Sequence, residues 1–204
     1  MTPEQKILGG SQELFYKYGI KSVTMDDIAK HLGMSKKTIY QYYKEKDEIL
    51  HKLMQCDVKC HEKTFDLISN ESNNVVEEVF LIMKLMAEIF SKVNPLLFYE
   101  LQKHYPETWK LFKDFKMDFV QKMVETSLER GKKDGFVRPD VNIKIMARLR
   151  MEEVEMAFNP MVFPLDKFSI VDVQLALAEH FLYGICTIKG HKLINKHKEL
   201  NEDE

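Results

Sequence analysis

Glycine and proline are scarce in this chain. Its 204 residues hold 8 Gly and 6 Pro, well under the roughly 12% that the two together average in soluble proteins. A β-sandwich or a glycine-rich nucleotide fold needs many tight turns, so this shortage excludes both and predicts an all-α chain. Cysteine is scarcer still. Cys56, Cys60 and Cys186 are an odd number and too few for a disulfide framework, which leads to the expectation of a reduced, cytoplasmic protein. No apolar run approaches the ~18 residues that cross a bilayer. The opening MTPEQKILGG has neither the basic stretch nor the apolar core of a signal peptide. No sign of charge dominates either, with 30 Lys and Arg against 32 Asp and Glu, a net of −2.

What is present is a composition ordinary for a globular protein, 45% hydrophobic and 30% charged, and enough chain for a real core. The charge is unevenly spread. Residues 1–54 hold nine lysines and seven carboxylates, a net of +2, while the remainder has 21 Lys and Arg against 25 Asp and Glu, a net of −4. A basic excess confined to one short segment points towards a polyanion partner for that segment.

Helical periodicity places a first helix over residues 3–18, with Ile7, Leu8, Leu14, Phe15 and Tyr18 on its apolar face and Gly19 as its C-terminal cap. Gly9-Gly10 interrupts it, which a close helix–helix approach would explain. Thr24 then serves as N-cap with Asp27 three residues on, and Val23 and Ile28 flank the cap as a hydrophobic staple. A second helix is read over 25–32, stopped by Gly33. Ser35 caps a third over 36–43, and a long fourth runs from 47 to 69. Further helices are read at 75–93, 95–103, 106–131, 141–158 and 169–189, broken at Asn94-Pro95, Tyr105-Pro106, Gly131 to Gly135, Arg138-Pro139, Asn159-Pro160 and Gly190. That makes about nine helices, with a polar, frayed end from His191 onward.

The second and third helices with their short turn make a helix-turn-helix. Such a motif needs a small residue where the helices touch, a glycine in the turn and an apolar anchor on the second helix; Ala29, Gly33 and Ile39 supply them. The N-terminal part of the second helix of such a motif enters the major groove. Here it begins Lys36-Lys37-Thr38, followed by Tyr40, Gln41 and Tyr42, and no acid occurs from residue 28 to residue 44. Cations, hydroxyls and an amide face outward where a solvated surface would mix in carboxylates.

Val23 to Leu50, VTMDDIAKHLGMSKKTIYQYYKEKDEIL, resembles the N-terminal DNA-binding signature of the TetR family of transcriptional regulators. Shared features are the threonine-capped second helix, the G-x-S-K turn, the T-[apolar]-Y core of the recognition helix and the K-x-[DE]-[DE]-[apolar]-L entry into the fourth helix. The resemblance covers roughly residues 4–52 and is highly specific. It implies a helix-turn-helix domain over 1–46, a ligand-binding and dimerisation domain over 47–204, and a homodimer on a pseudo-palindromic operator, usually a repressor released by a small ligand. Carried over by position, Thr24 touches phosphate as well as capping. Ser35, Lys36, Lys37 and Thr38 open the recognition helix, with Lys37 and Thr38 best placed for bases. Tyr40, Tyr42 and Lys46 bind phosphates, and Tyr43 packs. Lys37 stands where the family often has a small residue, and Tyr42 replaces a frequent His.

Beyond the motif, the helix from Ile170 is apolar nearly all round, so one face packs on its own domain and the other calls for a partner. Leu175, Phe181, Leu182 and Ile185 are the expected dimer residues, with the helix over 141–158 completing a four-helix interface. The middle helices are rich in Met and aromatics: Met83, Met86, Phe90, Trp109, Phe112, Phe115, Phe119, Met123 and Met151. They read either as an ordinary core or as the lining of a ligand pocket. Arg148, Glu152 and Glu155 beside them would orient a polar ligand group or form a solvated face.

Cys56, Cys60 and His61 could begin a zinc site. A fourth ligand is missing, and the cysteines extend the stripe Ile49, Leu53, Leu67, so burial as small hydrophobes is expected. Enzymatic alternatives find little support. A di-iron helical bundle needs two Glu-x-x-His units, and only Glu48 with His51 has that spacing. No hydrolase or phosphate-cradling motif occurs, so neither a catalytic role nor a cofactor is expected. A constitutive DNA-binding protein without a ligand is the remaining alternative.

Overall fold

A computed structural model of the chain describes residues 2–198. It is helical throughout, with one isolated antiparallel bridge between Val137 and Cys186. The helices are α1 (Pro3–Tyr18), α2 (Met25–Leu32), α3 (Lys36–Tyr40), α4 (Lys46–Glu71), α5 (Val75–Phe90), α6 (Leu96–His104), α7 (Pro106–Asp114), α8 (Gln121–Lys133), α9 (Ile143–Met156), α10 (Ile170–Ile185) and α11 (Ile188–His197). A π-helical turn, Phe115–Val120, joins α7 to α8. Among the described residues no helix is long and apolar enough to cross a membrane.

The chain divides into two compact units, and each is discontinuous in sequence. The first holds Met1–His61 and Lys92–Asp114; the second holds Glu62–Ser91 and Phe115–Glu204. The boundary after residue 46 drawn from the sequence falls at the start of α4, whose residues are shared between the two units.

In the first unit, Ile7 and Phe15 of α1, Ile28 of α2, Ile39 of α3, Ile49 of α4 and Leu101 of α6 are buried almost completely. Each such side chain contributes roughly 1.5–3 kcal/mol of burial free energy. Gly10 makes the packing of α1 on α2 possible: a Cβ there would lie 2.5 Å from Leu32 Cδ2. Gly9 has no such neighbour, so only the second glycine of the pair marks a close approach.

In the second unit, Val75, Val76, Leu128, Val137, Val141, Phe181, Leu182, Ile185 and Ile194 form the core. Glu78, 1% exposed, accepts from Ser127 Oγ at 2.6 Å and pairs with Arg130, whose guanidinium also donates to Ser69 O at 2.9 Å.

The expected 36–43 and 75–93 helices end three residues early, at Tyr40 and Phe90, and two helix readings change more deeply. The single helix expected over 169–189 breaks at Cys186, where the backbone turns extended. The cause is tertiary, since the 136–138 loop takes over local backbone groups. Arg138 N donates to Ile185 O at 2.9 Å and Thr187 N to Phe136 O at 2.9 Å. Thr187 then caps α11, so residues 191–197 are helical and not frayed, anchored by fully buried Ile194; residues 199–204 lie outside the described part. The helix expected over 106–131 is present but widened at the π-turn, where Lys116 turns inward to pair with Glu155 and Phe115 stacks on Phe119 at 5.6 Å.

Candidate nucleic-acid interface

The helix-turn-helix is built from local signals that all agree. Thr24 sits in extended backbone and its Oγ accepts from Asp27 N at 3.2 Å, while Asp27 Oδ2 accepts from Thr24 N at 2.9 Å. The Thr24 hydroxyl also donates to Asp27 Oδ2 at 2.6 Å. Those bonds hold the Asp27 carboxyl below the usual carboxylate range. Val23 and Ile28 are buried on either side of the cap. Gly33 adopts the left-handed conformation, φ 62°, that ends α2 and turns the chain. Ser35 Oγ accepts from Thr38 N at 3.1 Å and caps α3, and Ile39 pins that helix underneath. The orientation of α3 on α2 is thereby fixed by hydrogen bonds and one buried anchor.

The outward side of α3 carries the expected groups. Ser35, Lys36, Lys37, Tyr40 and Tyr42 are exposed and Thr38 is half-buried. Lys36 pairs with Asp26 of α2, which pushes the Lys36 ammonium up from its ordinary value. Ser35 Oγ and Thr38 Oγ1 lie 2.8 Å apart, so the two hydroxyls present one joint donor and acceptor. Tyr43, by contrast, is buried with its hydroxyl 3.3 Å from Glu4 Oε1; burial, then the Glu4 charge, raises its pKa to about 12.

Lys46 departs from the expectation. Its ammonium donates to Ile20 O at 2.7 Å and Val23 O at 2.8 Å, and burial lowers its pKa. It clamps the α1–α2 loop as part of the scaffold. Two partners of this region escaped the sequence reading. Glu100 of α6 binds the same loop, and Asp57 of α4 accepts from Tyr16 Oη at 3.3 Å and Gln12 Nε2 at 3.2 Å. Their separations from their partners, 80 and 41 residues for Glu100–Ile20 and Asp57–Tyr16, leave no periodic signal. A cleft of about 500 Å³ in this unit lies beside Tyr42, Glu48, His51, Tyr105 and Glu107, none of which figured among the ligand candidates.

Those ligand candidates are distributed over both units. Trp109 stacks on Phe112 at 4.8 Å in the first unit, whereas Met83, Met86, Phe90, Phe115, Phe119 and Met151 belong to the second. Met83 and Met151 are buried, and Phe90 meets Phe158 edge-on at 5.4 Å. Arg148 and Glu152 pair with each other at 2.7 Å on the exposed side of α9, the solvated-face alternative, while Glu155 reaches inward to buried Lys116.

Three of the four dimer candidates are core residues of the chain itself. Phe181 is 4% exposed and Leu182 and Ile185 are wholly buried. A side chain with no exposed surface has none left to bury on a partner, which leaves only half-buried Leu175. Cys56 and Cys60 are exposed, not part of the apolar stripe. Among the described residues no three His, Cys, Asp or Glu side chains converge as metal ligands. His51 Nδ1 instead lies 3.2 Å from Thr108 Oγ1.

A capped helix-turn-helix presenting a cation- and hydroxyl-bearing helix to solvent is the architecture of a DNA-binding regulator. Residues 7–53 match the family of bacterial regulatory proteins called tetR. The HTH-type transcriptional regulator YvaF of Bacillus subtilis is 26% identical over 187 residues, spanning 89% of this chain and 95% of that protein. A transcriptional regulator from Cytophaga hutchinsonii has the same fold, with TM-score 0.70 at 21% identity over 90% of this chain and 98% of its own. So does FadR of Bacillus subtilis, solved in complex with stearoyl-CoA, with TM-score 0.67 at 17% identity over 89% and 98% of the two chains. Over residues 7–53 the chain carries the DNA-binding domain of the tetR family of bacterial regulatory proteins, and along most of its length it is similar to HTH-type transcriptional regulators.

Proposed function

We propose that the chain is a homodimeric repressor that binds a pseudo-palindromic operator and is released from it by a small molecule. The observation that carries this reading is the exposed opening of α3, where Lys36, Lys37 and the joined Ser35 and Thr38 hydroxyls stand on a helix whose pose is fixed by α2. Lys37 and Thr38 read base edges in the major groove. Thr24, Ser35, Lys36, Tyr40 and Tyr42 hold flanking phosphates, which set register without reading sequence. Residues 1–46 serve DNA, and residues 47–204 serve ligand and dimer.

The dimer surface we propose is the outer side of α9 and the loop after it. Ile145 (62% exposed), Leu149 (45%) and Met156 follow one another along α9, and Met161, Val162 and Phe168 continue the exposed apolar surface. Leu175 of α10 joins them. Two recognition helices reach successive major grooves only when held about 34–36 Å apart, so the pairing sets the operator.

For the ligand, Met83, Met86, Phe90, Phe115, Phe119 and Met151 supply a soft apolar lining. A ligand with an apolar body matches it, and the stearoyl-CoA bound by FadR of Bacillus subtilis carries one. Release requires only that the ligand favour the conformation with mismatched recognition helices. The chain would act in the cytoplasm.

Fluorescence anisotropy tests the reading, with DNA from upstream of the protein's own gene and a shuffled control titrated at several salt concentrations. Selective binding that weakens steeply with salt is expected. No binding to any DNA at low salt overturns it.

A further inference from the structure

The loop between α1 and α2 is held on both its edges by charged side chains distant in sequence. Glu100 Oε2 accepts from Ile20 N at 2.6 Å and from Lys21 N at 3.0 Å. On the carbonyl side, the Lys46 ammonium takes Ile20 O and Val23 O. Gly19, at φ 80°, opens the approach: a Cβ there would sit 3.2 Å from Glu100 Oε2. A third tie, Asn94 N to Tyr16 O at 2.6 Å, joins the end of α1 to the connection just before α6.

The loop ends at Val23, and Thr24, the next residue, is the cap of α2. Whatever moves the loop therefore moves the capping box, and α3 follows because the Gly33 turn and Ile39 fix it to α2. Carboxylate bonds to backbone N–H groups are charge-assisted and about twice as strong as neutral ones. Glu100 is thus a strong hold on the DNA-binding helices from a segment, Lys92–Asp114, whose two ends both continue into the second unit.

We propose that Glu100 is a positioning residue for DNA binding, setting the seat of α2 and α3 through the Ile20 and Lys21 amides. The proposal rests on the DNA-binding reading above. It makes a prediction opposite in sign to simple electrostatics. Removing a negative charge from a DNA-binding unit should tighten binding to a polyanion. Loosening the seat of the recognition helix should weaken it.

The test uses the full chain and a duplex that the wild type enriches from a random-sequence pool. Glu100→Gln keeps the size and one acceptor; Glu100→Ala removes both, and Glu100→Gln carries the comparison if Glu100→Ala does not fold. With circular dichroism unchanged, the expected result is faster hydrogen exchange at the Ile20 and Lys21 amides. DNA affinity should fall about tenfold, the worth of a hydrogen bond to a charged group, with an unaltered salt slope because no phosphate contact is lost. Affinity unchanged or tightened in Glu100→Gln, or exchange at both amides unchanged, overturns the positioning role and leaves the regulator reading standing. A wild type that enriches no sequence overturns the regulator reading, while amide exchange still reports whether Glu100 holds the loop.

Discussion

Lys37 and Lys46 carry the same charge near the same helices and do different work. Lys37 is exposed on the outward side of α3, whereas Lys46 spends two of its three hydrogens on loop carbonyls. Lys37→Ala should therefore lower the log–log salt slope of DNA binding by about one. Lys46→Met should leave that slope alone and cost about 1–3 kcal/mol of stability, because two carbonyls lose their donor; urea unfolding and salt titration separate the two. Asp57 carries a pH dependence of its own. Burial raises its carboxyl above the ordinary 3.8, so the native state keeps a proton that the unfolded chain has released. Its contribution is full below 3.8 and is lost as pH rises through the folded value. Neighbouring His61, lowered by burial, works the opposite way, adding stability above its unfolded value and losing it as pH falls. Asp57→Asn keeps an acceptor for the Tyr16 hydroxyl and removes only the carboxyl part. The stability lost on substitution should then be larger at about pH 4 than at about pH 7 in denaturant titrations.

At the scale of elements, local chemistry and packing can be told apart glycine by glycine. Gly9 lies inside α1, exposed, with nothing within 4 Å of its would-be Cβ, so Gly9→Ala should raise stability by about 1 kcal/mol. Gly190 lies in α11 with Cys186 Cβ and the Phe136 carbonyl oxygen both 2.7 Å from that position. Gly190→Ala should cost about 1–3 kcal/mol, since backbone has to move. Thermal melts of the two variants should shift in opposite directions. The same contrast explains which elements were legible. α1, α2 and the start of α3 carry their own caps, staple and stop glycines, and each begins where those residues say. The break at Cys186 had no such mark. It arises because the 136–138 loop, some 50 residues away in sequence, competes for the backbone of that stretch.

At the scale of the whole molecule, an apolar pattern leaves open which neighbour covers it. An apolar helix with hydrophobics on every side announces burial without saying whether the neighbour is the same chain or another. For Phe181, Leu182 and Ile185 the neighbour is the same chain. Leu149→Glu, on the outer side of α9, should convert the proposed dimer to monomer in sedimentation and abolish operator binding while leaving the monomer folded. Leu182→Ala should cost about 2–5 kcal/mol of stability and leave the association state alone.

The sequence by itself determined the helical class, the starts of the helices of the DNA-binding motif and the outward groups of its second helix, because each depends on residues within a turn or two of one another. Tertiary structure alone decided that Lys46 and Glu100 grip one loop from opposite edges, that Cys56 and Cys60 face water, and that the core takes three of the four residues reserved for a partner. Those outcomes turn on which distant groups meet. A helical periodicity fixes which side of a helix is apolar, and only packing fixes what that side is packed against.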